Sequence, residues 1–404
     1  MDKNADYQSF DAIVAGAGFA GATIARELAE RGQKQVLVID RREHPGGNAY
    51  DHLDSQGVLV HAYGPHIFHT NSERVFDYLS RFTDWNDYQH QVVANIDGQY
   101  IPVPFNLNSL AAVFSGQKGA DLLRALLDAY PLGTRVGILD LKATPDPLLA
   151  ELSDYIYSHI FEYYTMKQWG LAPDQIDPSV TARVPVLVDY DNRYFQDTWQ
   201  GLPRHGYTAL FESLLDHPNI ELQLGVDACD LLAFSGEKDE SEGRGEQPAY
   251  SQITVQEKPY KGLVIYTGAL DELLDWRFGI LPYRSLNFVN RQYDQKHVQP
   301  TGTVNFTVSE DYTRTTEYTW MTQQEIDVTT VTEEYPCAFE DPKTQIPYYP
   351  VNNDDSQAAY QRYLDLVSGV DNLILLGRLA EYRYYNIDQV VLSALQLADR
   401  LLTE

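Results

Sequence analysis

The chain has 404 residues with 30 basic and 58 acidic side chains, a formal charge of −28, and such a field disfavours nucleic acid and anionic membrane surfaces as partners. An apolar fraction of 44% excludes a disordered chain, and the length calls for roughly two or three domains. The two cysteines, Cys229 and Cys337, supply neither a disulfide framework nor zinc-ligand spacing, so no metal is expected and a reducing cytoplasm is. The polar start MDKNADYQSF reads as no signal peptide, and no apolar run approaches the ~20 residues of a membrane span.

In chain order, Asp11–Ala15 is a short apolar strand that runs into Gly16-Ala-Gly18-Phe-Ala-Gly21 and a helix to Arg31; Val36–Ile39 is a second strand ending at Asp40. Strand, glycine turn, helix, strand is the opening of a doubly wound parallel sheet. From about Asn108 the period turns helical, through Leu110, Val113, Phe114 and Leu122–Leu127, with a longer helix from Leu148 to Trp169; prolines 131, 145 and 147 divide the region. Leu171–Pro185 is Pro- and Asp-rich and reads as a loop. Runs rich in Tyr, Thr, Val and Phe near 185–199 and 283–335 predict antiparallel strands. Ser235–Pro248 is a charged surface loop, Asn372–Leu376 a buried strand, and about Gln389–Leu402 a closing helix.

The glycine fingerprint has a physical basis. Gly16 permits the tight turn, Gly18 lets the backbone approach a pyrophosphate, and Gly21 lets helix pack on strand. The helix N-terminus at Phe19 and Ala20 then faces the phosphates. Asp40 stands where a carboxylate can accept hydrogen bonds from a ribose, with Arg41 beside it. Arg41-Arg42 can be read as a 2′-phosphate site for NADP, or as charges paired with the abundant acids. Gly46-Gly47-Asn48 after the second strand, the later strand ending at Gly268, and Gly377-Arg378 resemble the three separated contacts of flavoproteins of the glutathione reductase and amine oxidase type. That resemblance implies FAD, and without a second GxGxxG no dedicated NAD(P)H domain is expected.

Further motifs resemble one family of that class. Tyr63-Gly-Pro-His-Ile-Phe-His-Thr-Asn71, Tyr164-Thr-Met-Lys-Gln-Trp-Gly170, Thr181-Ala-Arg-Val-Pro185, Asn192-Arg-Tyr-Phe195 and Gln200-Gly-Leu-Pro203 look like the bacterial UDP-galactopyranose mutases. So do Leu281–Leu286, Tyr312–Glu317 and Gly377–Tyr384. The resemblance implies an α/β fold: a discontinuous FAD-binding Rossmann-like domain (1–87, 205–278 and 336–404), an inserted helical subdomain (107–170) and an antiparallel sheet domain (88–106, 180–204 and 279–335), with a mobile substrate loop at 171–183. It also implies that reduced FAD attacks the anomeric carbon of UDP-galactose through N5. The sugar adduct opens as an iminium and recloses through another hydroxyl, with no net electron transfer.

By the same resemblance Arg183 and Arg284 clamp the diphosphate. Ile160, Phe161, Tyr164 and Trp169 line the uridine pocket, and Tyr194, Tyr318 and Tyr384 donate hydroxyls to phosphate and sugar. His66 and Arg378 lie beside the flavin and sugar, while Ile67, Asn386 and Ile387 complete the cofactor contacts. Asn386 departs from the acid found in many relatives, so no carboxylate role carries over to it. A reductant such as NAD(P)H and a homo-oligomer are further implications. An oxidoreductase of the amine oxidase type shares the FAD fingerprints and is the competing reading; it needs no paired arginines for a diphosphate. A binding protein without catalysis is a third.

Overall fold

The structure, a computed structural model, describes residues 6–170, 184–236 and 249–403. Five parallel strands form one sheet in the spatial order Ile220–Leu224, Val36–Asp40, Ala12–Ala15, Leu263–Tyr266, Leu373–Leu375. Alternate residues serve opposite faces. Val14, Val38 and Ile265 enter a core shared with helices Phe19–Glu30, Gly206–Leu215 and Ile387–Thr403. Ile13, Leu37, Val264 and Tyr266 enter another, shared with helix Asp354–Val367. Both faces are covered, which is why these strands read as continuous apolar runs.

A seven-stranded sheet carries the other half of the molecule. Its order is Tyr349–Pro350, Tyr283–Tyr293, Thr329–Ala338, Arg314–Glu317, Thr303–Phe306, Val92–Ile96, Gln99–Val103. It is antiparallel except where Thr303–Phe306 runs parallel to Val92–Ile96. This sheet continues past residue 335, taking in Cys337, Ala338 and Tyr349–Pro350. Residues expected as sheet strands near 185–199 lie elsewhere. Val186–Leu187 pairs with Arg135–Val136 beside the helices, and Trp199–Gly201 pairs with Phe68–Thr70. Short β-prone segments accept whichever unpaired edge the tertiary fold offers.

Helices from Leu107 to Trp169 pack on the edge of that sheet through Ile101, Val103, Leu110, Leu126, Leu152 and Ile156. The first is closed by a reciprocal Asn106–Ser109 capping box, and Asp146 caps a later one whose first residue is Pro147. The long helix predicted over Leu148–Trp169 is continuous but not uniform. Tyr157–Glu162 winds as a π-helix before the α-helix Tyr163–Trp169. π segments of this kind re-aim side chains and cluster at functional sites. Gly170 ends the helix with φ +65°, a left-handed terminus suited to glycine. Among the described residues, no helix is long and apolar enough to cross a membrane.

Candidate active site

The parallel sheet delivers its C-terminal strand ends to a groove of about 440 Å³ lined by Gly16, Gly18, Phe19, Ala20, Asp40, Arg41, Gly47, Asn48, Gly268 and Gly377. Two chain segments meet closely there. A Cβ on Gly47, whose φ is +56°, would lie 3.1 Å from the Cα of Gly18. Gly21 lies behind the groove, where a Cβ would sit 1.8 Å from the Gly16 carbonyl oxygen. The 12-residue helix starting at Phe19 has no side-chain cap, so its first amide N–H groups and dipole are left for an anion. Asp40 accepts the N–H groups of Ala17 at 2.8 Å and Arg42 at 2.9 Å and lines the groove. Arg41 is held by Glu272 at 2.6 and 2.7 Å and by Asp227 at 3.5 Å, and the Glu272 hydrogen bonds raise its pKa. Arg42 lies 4.1 Å from the centre of the Tyr63 ring and bonds Asn48. The Arg41 charge is therefore met by carboxylates, while Arg42 is engaged by an aromatic face and a neutral amide.

Past His66, Asn48, Arg378, Asn386 and Ile387 the groove opens into a central cavity of about 460 Å³, which also touches Ile67. His66 is half-buried, with Nδ1 donating to the Gly64 carbonyl at 2.9 Å, and desolvation pushes its pKa down to about 3. Its neutral ring offers Nε2 as an acceptor. Arg378 is anchored by the Tyr385 carbonyl at 2.6 Å and lies 5.5 and 5.0 Å from the ring centres of Tyr349 and Tyr384.

The central cavity continues past Tyr164, Tyr194, Asn305, Arg314, Tyr349 and Tyr384 into a smaller pocket of about 160 Å³. Its wall is the helix with the π turn, through Ile160, Phe161, Tyr164, Gln168 and Trp169. Trp169 and Tyr349 rings stand 6.5 Å apart, and Tyr349 stacks with Tyr384 at 6.1 Å. Groove, cavity and pocket thus form one continuous path.

Two expected residues lie off that path. Tyr318 is fully buried and donates to the His61 carbonyl at 3.2 Å; it starts a short helix and packs with Val58, Val60 and Met321, so its hydroxyl serves the core. Arg284 is buried and lines none of the three spaces. Its Nε donates to the Gln168 carbonyl at 2.9 Å and Nη2 to the Lys167 carbonyl at 3.3 Å, capping the helix that bears Trp169. Burial lowers its pKa. Arg183 and the expected loop 171–183 lie outside the described residues.

The residues that reach the path instead are Arg314, Tyr349 and Asn305. Arg314 faces Glu334 in the strand register, with Nε–Oε2 at 2.9 Å and Nη2–Oε1 at 2.8 Å. Burial opposes the Arg314 charge, but the Glu334 carboxylate outweighs it and raises the pKa. Lys167 lies behind the pocket, its ammonium spent on the carbonyls of Phe306, Glu310 and Tyr312 at 2.7–3.0 Å. The signal for Arg314 was present in the Tyr312–Glu317 motif. Choosing it over Arg284 required knowing which strand faces the cavity.

Residues 159–384 match the family model described as UDP-galactopyranose mutase, and residues 14–82 match an NAD(P)-binding Rossmann-like domain. The UDP-galactopyranose mutase of Mycoplasma pneumoniae is 34% identical over 404 residues, spanning 98% of this chain and 97% of that protein. A dTDP-fucopyranose mutase of Escherichia coli is 34% identical over 393 residues, spanning 96% and 97%. An (S)-6-hydroxynicotine oxidase of Paenarthrobacter nicotinovorans is 29% identical over 24% of the chain. The crystal structure of a reduced UDP-galactopyranose mutase superposes with a TM-score of 0.66 at 16% identity, covering 97% of this chain and 95% of that one. An oxidoreductase from Methanosarcina mazei superposes with a TM-score of 0.53 at 14% identity, covering 96% and 99%. The full-length identity and the family match agree with the path of groove, cavity and pocket: the chain belongs to the UDP-galactopyranose mutase family of isomerases.

Proposed function

We propose that the protein interconverts UDP-galactopyranose and UDP-galactofuranose on reduced FAD, with no net redox change. The observation that carries this reading is the unbroken path from a dinucleotide groove, through a polar cavity, to an aromatic pocket. FAD fits the groove. The uncapped helix start and the Gly18–Gly47 approach suit its pyrophosphate, Asp40 its ribose, and His66, Asn48, Arg378 and Ile387 the isoalloxazine end. When bound and reduced, FAD would supply an electron-rich N5 as nucleophile toward the sugar.

The chain's own residues do the rest. Trp169 and Tyr164 offer aromatic faces to a base. Arg314 places a guanidinium where the pocket meets the cavity, and Tyr194, Tyr349 and Tyr384 surround that junction. These groups hold the diphosphate while the sugar is detached from it. Arg183 is a second clamp by family position. Arg284 acts at one remove, fixing the helix end that presents Trp169. We further propose an external reductant such as NAD(P)H, a homo-oligomer and a cytoplasmic location.

The identity with the dTDP-fucopyranose mutase favours a second substrate reading, dTDP-fucopyranose in place of the uridine sugar. An amine-oxidase-type reaction is weaker, since the oxidase match spans 24% of the chain and the junction holds a cationic clamp. The test is a flavin absorption spectrum of purified protein followed by incubation with each sugar, with and without dithionite. Furanose product from UDP-galactopyranose only after reduction supports the proposal. A colourless protein, or conversion that needs no reductant, refutes it.

A further inference from the structure

Three histidines line the central cavity, His66, His69 and His90, and they are built differently. His66 has Nδ1 on the Gly64 carbonyl, and His90 has Nδ1 on the Tyr88 hydroxyl at 2.9 Å. Burial pushes both down to about 3, so they stay neutral. His69 alone of the three has a carboxylate partner, Asp197, whose Oδ2 lies 2.9 Å from Nδ1.

That pair is locked on every side. The His69 ring stacks on Phe195 at 3.6 Å and 11°, and its strand is pinned opposite Gln200. Asp197 Oδ1 accepts from Asn71 at 2.6 Å, and the Asn71 oxygen accepts the Thr198 N–H at 2.9 Å. The other titratable rings packed on Phe195 are His90 at 5.8 Å and Tyr194 at 4.9 Å. With Nδ1 committed to Asp197, Nε2 is the ring atom left for a ligand, on a side chain 14% exposed. A carboxylate so placed orients an imidazole and fixes which ring nitrogen faces the cavity.

We propose that His69, positioned by Asp197, is the proton carrier for the ring exchange of the hexose, an inference that rests on the proposed function. Contracting a pyranose to a furanose exchanges one ring oxygen for another. When the C1–O5 bond breaks, its electron pair stays on O5, which takes the proton from His69 Nε2. When O4 bonds C1, the 4-hydroxyl proton passes to the same nitrogen. The nitrogen gives up one proton and regains one, so no outside acid, base or electron is required.

The test uses the flavin-loaded, dithionite-reduced protein. His69→Gln is expected to lower kcat for UDP-galactose on the order of 10²-fold or more, with UDP affinity and the flavin spectrum unchanged. Asp197→Asn should give a smaller loss, and added imidazole should partly restore His69→Ala. In NMR of the holoprotein, the His69 ring resonance, identified by its loss in His69→Gln, should shift with UDP-galactose and not with UDP. Wild-type kcat in His69→Gln, a turnover loss matched by lost UDP affinity, or an unmoved resonance overturns the inference while the mutase reading stands. A wild-type protein that forms no furanose sinks both.

Discussion

Arg314→Ala should damage the protein in two separable ways. The Glu334 side chain is 2% exposed and its ionic partner is Arg314, through contacts of 2.8 and 2.9 Å. Removing one partner of a buried pair strands the other charge and costs about 3–5 kcal/mol. The same change deletes the cation at the junction of cavity and pocket, a loss worth on the order of 10²-fold in turnover. Arg314→Ala combined with Glu334→Ala removes the stranded carboxylate along with the guanidinium. Most of the stability should return, while turnover stays low. Arg314→Lys keeps a charge but not the two-pronged geometry and should fall between. Urea midpoints of the flavin-loaded variants measure the first effect, and furanose formation under dithionite the second. Wild-type midpoint and rate in Arg314→Ala would refute the reasoning, and so would recovery of turnover in the double variant.

Gly18→Val should abolish flavin retention, because the side chain enters the approach to Gly47; the ratio of flavin to protein absorbance checks it. Trp169→Ala should weaken UDP binding roughly 10-fold by removing an aromatic face worth about 1 kcal/mol or more, read by titration, with the flavin spectrum unaffected. Arg284→Gln should raise KM for the nucleotide sugar more than it lowers kcat, since its guanidinium supports the Trp169 helix from outside the path; a loss confined to kcat would contradict this. Asp271, buried and bonded to the Leu281 N–H and the Tyr283 hydroxyl, is pushed by burial up to about 6 from 3.8. Between those values the folded state holds a proton that the unfolded chain releases, so the contribution is full below pH 3.8 and lost as pH rises past 6. The Tm of wild type should therefore fall relative to Asp271→Asn between pH 4 and 7, and a constant difference would count against it.

Much of the cofactor half could be read from the chain because its requirements are local. Gly16, Gly18 and Gly21 recur at fixed spacing where only a missing side chain permits the turn and the approach, and the apolar runs around them announce a sheet covered on both faces. The helix that bears Ile160, Phe161, Tyr164 and Trp169 was also legible from its apolar period, and these residues line one wall of the smaller pocket. Choosing between Arg284 and Arg314, or between Tyr318 and Tyr349, was beyond local pattern. The two arginines stand in strands of one sheet, and a strand presents its residues alternately to opposite faces, whereas Tyr349 lies in an edge strand and Tyr318 opens a short helix. Which face meets the cavity depends on partners far along the chain, Glu334 for Arg314 and the Lys167–Gln168 carbonyls for Arg284. The sequence by itself determined the family, the dinucleotide groove and the aromatic wall. Only the tertiary structure decided which arginine and which tyrosine face the cavity, because long-range strand register, not spacing, aims a side chain in a sheet.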